Sequence, residues 1–293
     1  MTIDAGPLIA DAPAREIADR VHIIPDGRVP LVPSPGFVVG DEAVLVIDTG
    51  MGPRNGERVL AEARRLAAGR RLYLTLTHFH PEHAFGAQAF AGEATIIYNQ
   101  SQADELAEKG AEFLEMFRGF GPGVTACLED VELVDPDITY GDFAVLDLGG
   151  VTAELRHHGH AHTHGDQTVY IREPGVLFTG DLVETRLFPI LPDDHAHGSA
   201  WIGVLDHLAE LRPAVVVPGH GGVGGAELIT AIRDYLVDVR GRVSDRRANG
   251  EELAAFQEPL AAAVRADYAD WEAEEWIAPA LERFFLESDD GPR

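Results

Sequence analysis

The chain carries 13 histidines, and most of them fall in a few tight clusters at the ends of apolar runs. The first is Thr77-His78-Phe79-His80-Pro81-Glu82-His83, directly after the run Leu72 to Leu76. His78 and His80 are two apart, so an extended backbone points them to the same side. Glu82 and His83 then add an oxygen and a nitrogen as the chain turns. Imidazole mixed with carboxylate suits zinc, and also iron or manganese. A lone histidine is more often a core or surface residue, but three histidines and a glutamate within six positions at a strand end predict a metal site.

Three further clusters have the same character. His157-His158-Gly159-His160-Ala161-His162-Thr163-His164-Gly165-Asp166 precedes the run Val169 to Ile171. Phe178-Thr179-Gly180-Asp181 closes one apolar run, and Val217-Pro218-Gly219-His220-Gly221 closes another. Sites in layered α/β folds are built at strand ends. Ligand-type residues beside glycine at four separate ends predict that these segments converge.

The elements that must position them are short and β-branched: Val21 to Ile24, Gly36 to Val39, Val44 to Ile47, Leu72 to Leu76, Thr95 to Tyr98, Val169 to Ile171, Val176 to Phe178 and Val215 to Val217 read as strands. Gly56 to Ala68, Gln102 to Phe117, Ser199 to Leu211 and Ala226 to Val243 read as helices. The alternation predicts an α/β layered architecture. From Arg246 the character changes, and Glu251 to Leu286 reads as helix broken near Pro259 and Pro279. A catalytic domain over 1–245 with a helical C-terminal extension over 246–293 is therefore expected. The extension bears Tyr268, Trp271, Trp276, Leu281, Phe284 and Phe285. It reads as a tail docked on the core, with a homodimer contact or a lid over the site as the alternatives.

Composition narrows the partners. A formal net charge of -26 opposes nucleic acid and anionic membranes. The N-terminus lacks a basic segment followed by a long apolar run, and no apolar stretch approaches the ~20 residues of a membrane span, so a cytoplasmic protein is expected. The single cysteine, Cys127, precludes an intrachain disulfide.

The series as a whole resembles the metallo-β-lactamase superfamily, whose pattern is an aspartate after an early strand, His-x-His-x-Asp-His, a later histidine, an aspartate and a final histidine. Val46-Ile47-Asp48-Thr49-Gly50 matches the first element; His78, His80, Glu82 and His83 the second; His162 the third; Asp181 the fourth; His220 the fifth. The resemblance covers roughly residues 20 to 225. It implies an αββα sandwich with the site at one edge between two sheets, and two metal ions, zinc first, with iron or manganese as alternatives. Metal one would take His78, His80 and His162. Metal two would take Glu82, His83 and His220, with Asp181 bridging. Asp48 would support the site without being a ligand. His160 shares the parity of His162 and could replace it, although the His-Thr-x-Gly-Asp context favours His162. His157, His158, His160 and His164 are expected beside the ligands, in the pocket or at the surface, and His195 and His197 in a solvated loop. Glu82 departs from the family's usual aspartate. Its extra methylene lets it bind metal two, shift it, or act mainly as a base, which leaves a one-metal enzyme open.

The expected activity is attack by a metal-bound hydroxide on a small ester, lactone, thioester or amide carbonyl, with Glu82 and Asp181 in the catalytic machinery, since zinc lowers the pKa of bound water to about 7. β-Lactam hydrolysis and a non-hydrolytic iron-binding redox or oxygenase role are the alternatives. Nucleases of the superfamily carry a domain inserted before the last histidine, and Asp181 and His220 lie too close to admit one. The stretch Leu182 to Pro192 leaves the bridging residue, so its first residues are expected near the metals. Its cation, Arg186, is a candidate partner for one substrate carboxylate, or a plain surface arginine. A small, partly apolar substrate with at most one or two negative charges is expected.

Overall fold

The computed structural model describes residues 2–191 and 196–287. Twelve strands form two sheets. The first contains β1 (Arg15–Ala18), β2 (Val21–Ile23), β3 (Gly36–Val39), β4 (Ala43–Ile47), β5 (Arg71–Thr75), β6 (Thr95–Asn99) and β7 (Ile138–Tyr140) in sequential order. Its first four strands are antiparallel neighbours, and β4 to β7 run parallel. The second sheet has the order β12 (Val215–Pro218), β11 (Val176–Gly180), β10 (Gln167–Ile171), β9 (Thr152–His157), β8 (Phe143–Asp147).

Alternation along the strands dictates the layers. Leu45 and Ile47 of β4 enter an apolar cluster with Val169, Ile171, Val176, Phe178 and Val217 of the second sheet, while Val44 and Val46 enter a different one. Side chains two apart on a strand share a face, so β4 packs on the other sheet with one face and on helices with the other. Gly36 sits where the sheets approach closely: a Cβ there would lie 2.3 Å from the Phe178 ring. Outside the first sheet lie α1 (Gly52–Ala67), α2 (Pro81–Ala84), α3 (Gln100–Arg118) and α4 (Pro122–Cys127). Outside the second lie α5 (Gly198–Glu210), α6 (Glu227–Ala248), α7 (Leu253–Asp267) and α8 (Ile277–Glu287). The result is the expected αββα sandwich with helices added at the C-terminus.

Each of the eight expected strands exists, with ends shifted by a residue or two, and β1, β7, β8 and β9 join them. The four expected helices are also present. Two expectations change. Pro259 does not break the C-terminal helix but sits inside α7. It and Ala255, whose carbonyl loses its helical partner there, are both on the exposed face, where water can satisfy the free group. Pro279 falls in the first turn of α8, where a missing N–H costs nothing; the actual break lies between α7 and α8. The boundary placed at residue 245 falls within α6, which runs through to Ala248. Phe256, Leu260, Ile277, Leu281 and Phe284 share one buried cluster with Trp201, Leu205, Tyr235 and Leu236 of α5 and α6, and Tyr268, Trp271, Trp276 and Phe285 pack against it. The extension is thus docked on the helix layer of the second sheet. Among the described residues no helix is long and apolar enough to cross a membrane.

Candidate metal centre

The sandwich brings the strand-end clusters together along one edge. His78 follows β5, His80 stands immediately before α2, and Glu82 and His83 lie within that helix. His162 lies in the loop between β9 and β10, Asp181 directly follows β11, and His220 follows β12. All seven are buried. Their donor atoms form two groups, His78, His80, His162, Asp181 and Glu82, His83, Asp181, His220, within each of which all lie within 4.8 Å of one another. Asp181 belongs to both.

Hydrogen bonds at the back of the rings settle which nitrogen faces the site. A carboxylate or carbonyl can only accept, so the nitrogen beside it carries the proton and the other is left with a lone pair. His83 Nδ1 donates to Asp48 Oδ2 at 2.8 Å. His162 Nδ1 donates to the Ile190 carbonyl at 2.9 Å, and His220 Nδ1 to the Val32 carbonyl at 3.0 Å. The Thr77 hydroxyl donates to Asp48 Oδ2 at 2.9 Å and so accepts from His78 Nδ1, 3.2 Å away. These four rings therefore present Nε2 inward. His80 is reversed: its Nδ1 lies 3.0 Å from His162 Nε2, and its ring stacks on Phe113 at 5.0 Å. Asp48 also accepts the Thr77 backbone N–H at 2.7 Å and adopts a left-handed backbone, φ 63°, a conformation aspartate tolerates better than most residues. It supports the site from behind.

The donor set fits a cation. His83 Nε2 and His220 Nε2 face each other at 3.4 Å, and two lone pairs so placed need positive charge between them. Both Asp181 oxygens, His78 Nε2 and Glu82 Oε2 are buried without a hydrogen-bond partner among the described residues, a costly arrangement unless an ion satisfies them. The same field attracts protons. Burial lowers the His83 pKa, but Asp181 and Asp48 outweigh it and hold the ring well above its usual value. Burial pushes the Glu82 carboxyl up to about 7, whereas it pushes His78 and His80 well down. Burial raises Asp181 too, but His83 and His220 overcome it and keep the carboxylate well below its ordinary range.

Glycine is required at Gly219, where a Cβ would lie 1.9 Å from Asp181 Oδ1. Asp166 shapes the loop carrying His162: its Oδ2 accepts the backbone N–H groups of His162 and Thr163, and its Oδ1 accepts the Thr163 hydroxyl. His162, and not His160, joins the donor group. The His160 ring packs on that of His164, centroids 3.4 Å apart. His157 Nε2 lies 2.8 Å from the His164 carbonyl, and His158 Nε2 2.8 Å from the Thr168 hydroxyl. His197 caps α5 by accepting the Ala200 N–H at 3.2 Å rather than standing in a solvated loop. His195 and Pro192 lie outside the described residues.

A cavity of about 270 Å³ opens beside the second donor group, with Glu82, His220, Leu187, Phe188 and Ile190 among its walls. The segment after Asp181 does line it, as its position predicted, but Arg186 does not. The Arg186 guanidinium points away, two-thirds exposed and 3.6 Å from Asp270. The cation in the lining is Arg28, which donates to Glu272 Oε1 at 2.5 Å and to the Thr185 carbonyl at 2.9 Å. Glu184 also lines the cavity and went unnoticed in the sequence. It is 3% exposed, its Oε2 has no partner among the described residues, and burial, with Asp181 and Glu82 adding to it, drives its pKa well up. The available signal was a carboxylate three residues after Asp181 in an otherwise apolar run.

Comparison with known proteins agrees with this geometry. Residues 28–220 match the family model of the metallo-beta-lactamase superfamily. The human acyl-coenzyme A thioesterase MBLAC2 is 30% identical over 70% of this chain and 78% of its own length. A linear primary-alkylsulfatase from Pseudomonas sp. is 24% identical over 72% of this chain and 46% of its own, so this chain spans less than half of that protein. Among solved structures, a metallo-beta-lactamase from Pontibacter korlensis superposes with a TM-score of 0.62 at 22% identity, covering 76% of this chain and 97% of that one. The sec-alkylsulfatase Pisa1 from Pseudomonas sp. superposes with a TM-score of 0.71 at 15% identity, covering 94% of this chain and 50% of that one. With the family model spanning most of the chain and the series of buried donor residues in place, this protein belongs to the metallo-beta-lactamase superfamily and is one of its hydrolases.

Proposed function

We propose that the chain is a binuclear zinc hydrolase of small thioesters or esters, with His78, His80 and His162 holding one ion, Glu82, His83 and His220 the other, and Asp181 shared. The observation that carries this reading is the pair of donor groups meeting at Asp181, the second of which reaches the wall of a largely apolar cavity through Glu82 and His220. Two dications there would supply a water of pKa about 7 and polarise a substrate oxygen. Around them, Asp48 and the Ile190 and Val32 carbonyls keep the rings oriented, which is how outer partners sharpen a metal site. Leu187, Phe188 and Ile190 exclude water from the reacting carbonyl. Glu82 and Glu184 place two carboxyl groups on the same wall, where either can take up or return a proton during hydrolysis.

Thioesters come first among carbonyl substrates because the human relative is named as an acyl-coenzyme A thioesterase. The cavity is at the small end of ligand sites, which run from about 300 Å³ upward, so it suits a short acyl or alcohol portion. An alkyl sulfate, the substrate named for the Pseudomonas relative, is less well matched, since its anion would meet the carboxylates of the lining. The test is metal analysis of protein purified without supplementation, with a hydrolysis screen over thioesters, esters, lactones, β-lactams, alkyl sulfates and phosphodiesters. Two zinc ions per chain and turnover of thioesters or esters are expected. Full activity in metal-free protein, or turnover confined to phosphodiesters or sulfates, overturns the reading.

A further inference from the structure

The cavity wall has a charge pattern that the metal centre does not need. Glu184 lines it, buried, with Oε2 unpartnered among the described residues. Asp26 and Glu275 add two carboxylates to the lining; Asp26 is buried and accepts the Gly221 N–H at 2.8 Å, whereas Glu275 is exposed and makes no ion pair among the described residues. The charge of Arg28, the cation in the lining, is already matched by Glu272. Trp276, partly exposed, lines the same cavity, whereas the Phe188 ring is fully buried against Tyr235 and Trp271. Carboxylates interleaved with aromatic faces favour a cation that is large and weakly hydrated, because the rings supply attraction without demanding that it shed a tight water shell.

We propose that Glu275 and Trp276, in a lining that also holds Asp26 and Glu184, make this cavity selective for an ammonium-bearing substrate, a small thioester or ester whose acyl or alcohol portion carries a quaternary or protonated amine. This rests on the hydrolase reading and narrows it to a substrate class. Part of the selectivity comes from the C-terminal extension, because Glu275 and Trp276 lie just ahead of α8. The docked tail therefore also lines the cavity.

The test uses three thioesters of equal length with the purified metal-loaded enzyme: one with a trimethylammonium head, its carbon isostere with a tert-butyl head, and one with a carboxylate head. The cationic member should exceed the neutral one by about tenfold in kcat/KM, with the anionic member slowest. The advantage should shrink as ionic strength rises. Glu275→Gln, at an exposed position, should reduce the cationic preference severalfold while leaving the neutral thioester nearly unchanged. Binding gives a second readout: choline should change tryptophan fluorescence at lower concentration than the tert-butyl alcohol isostere, and Trp276→Phe should abolish that change. Equal rates for all three thioesters, or a preference for the anion, would remove the proposal and leave the hydrolase reading standing. Failure to hydrolyse any thioester or ester would instead remove the hydrolase reading, while the choline titration would still decide the pocket's charge preference.

Discussion

The two halves of the candidate metal centre are built from similar donor residues but supported differently. In the half containing His83 and His220, each ring is pinned by a strong acceptor, and Asp48 alone holds both His83 and, through Thr77, His78. In the other half, His80 is positioned by stacking on Phe113, and its outward Nε2 has no hydrogen-bond partner among the described residues. Yet the better-wired half contains the less constrained ligand, Glu82, whose Oε2 is unpartnered. One half is limited by how its rings are oriented, the other by a carboxylate with one more rotatable bond than aspartate would have. The difference predicts that ions held in the two halves are not equivalent in affinity or in their sensitivity to substitution.

The largest effect should come from the residue common to both halves. Asp181→Ala should cut kcat/KM by ~1000-fold or more and reduce the content of both metals. His80→Ala should remove mainly the first ion, with a loss of at least ~100-fold. Metal analysis showing both ions retained in either variant would separate these residues from the centre. Next, Asp48→Asn should weaken the second ion by about 10- to 100-fold, the usual cost of losing an outer partner, and the first ion less. Equal losses would show that Thr77 transmits the contact to His78 as strongly as Asp48 holds His83.

Smaller still is the effect of Glu82 itself. Titration with a chelator should strip the second ion before the first. Glu82→Asp should retain activity or tighten that ion, while Glu82→Ala should be impaired and depleted in one metal only. Simultaneous loss of both ions in the parent protein would erase the asymmetry. The smallest effect tests a histidine that lies in the same segment as His162 but outside both halves. Burial, with His207, Arg156 and His157 adding to it, lowers the His158 pKa from 6.5 to about 3. The unfolded chain takes up a proton near pH 6.5 that the folded one refuses, so folding stability falls as pH drops from there toward 3. His158→Gln should flatten this acid slope in Tm measurements with metal content unchanged. A parallel loss of metal would instead tie His158 to the centre.

The ligand series was legible because each cluster is local: His78 to His83, His162 to Asp166, Asp181 and His220 each sit beside a β-branched run, so residue type and strand end could be read together. The sequence reading lacks the edge strand β8 and its neighbour β9, although Ala153 and Leu155 alternate with Thr152, Glu154 and Arg156 in the period of a strand with one buried face. β8 has Phe143 and Val145 exposed, which blurs the contrast such patterns rely on. Arg186 was the available cation by sequence proximity, but its left-handed backbone, φ 58°, belongs to a turn that leads the guanidinium toward Asp270 instead.

The amino-acid sequence by itself determined a layered α/β architecture, the metal-binding residues available and their grouping at strand ends, because alternation and ligand chemistry act over a few residues. Tertiary structure alone decided which histidine of the His160 and His162 pair joins the centre, which nitrogen each ring presents, and what lines the cavity. Those outcomes depend on contacts between distant segments, such as Asp48 with His83, Ile190 with His162, Val32 with His220 and Arg28 with Glu272. No local pattern encodes such pairings, since each arises only when the two sheets close on each other and the C-terminal helices dock beside them.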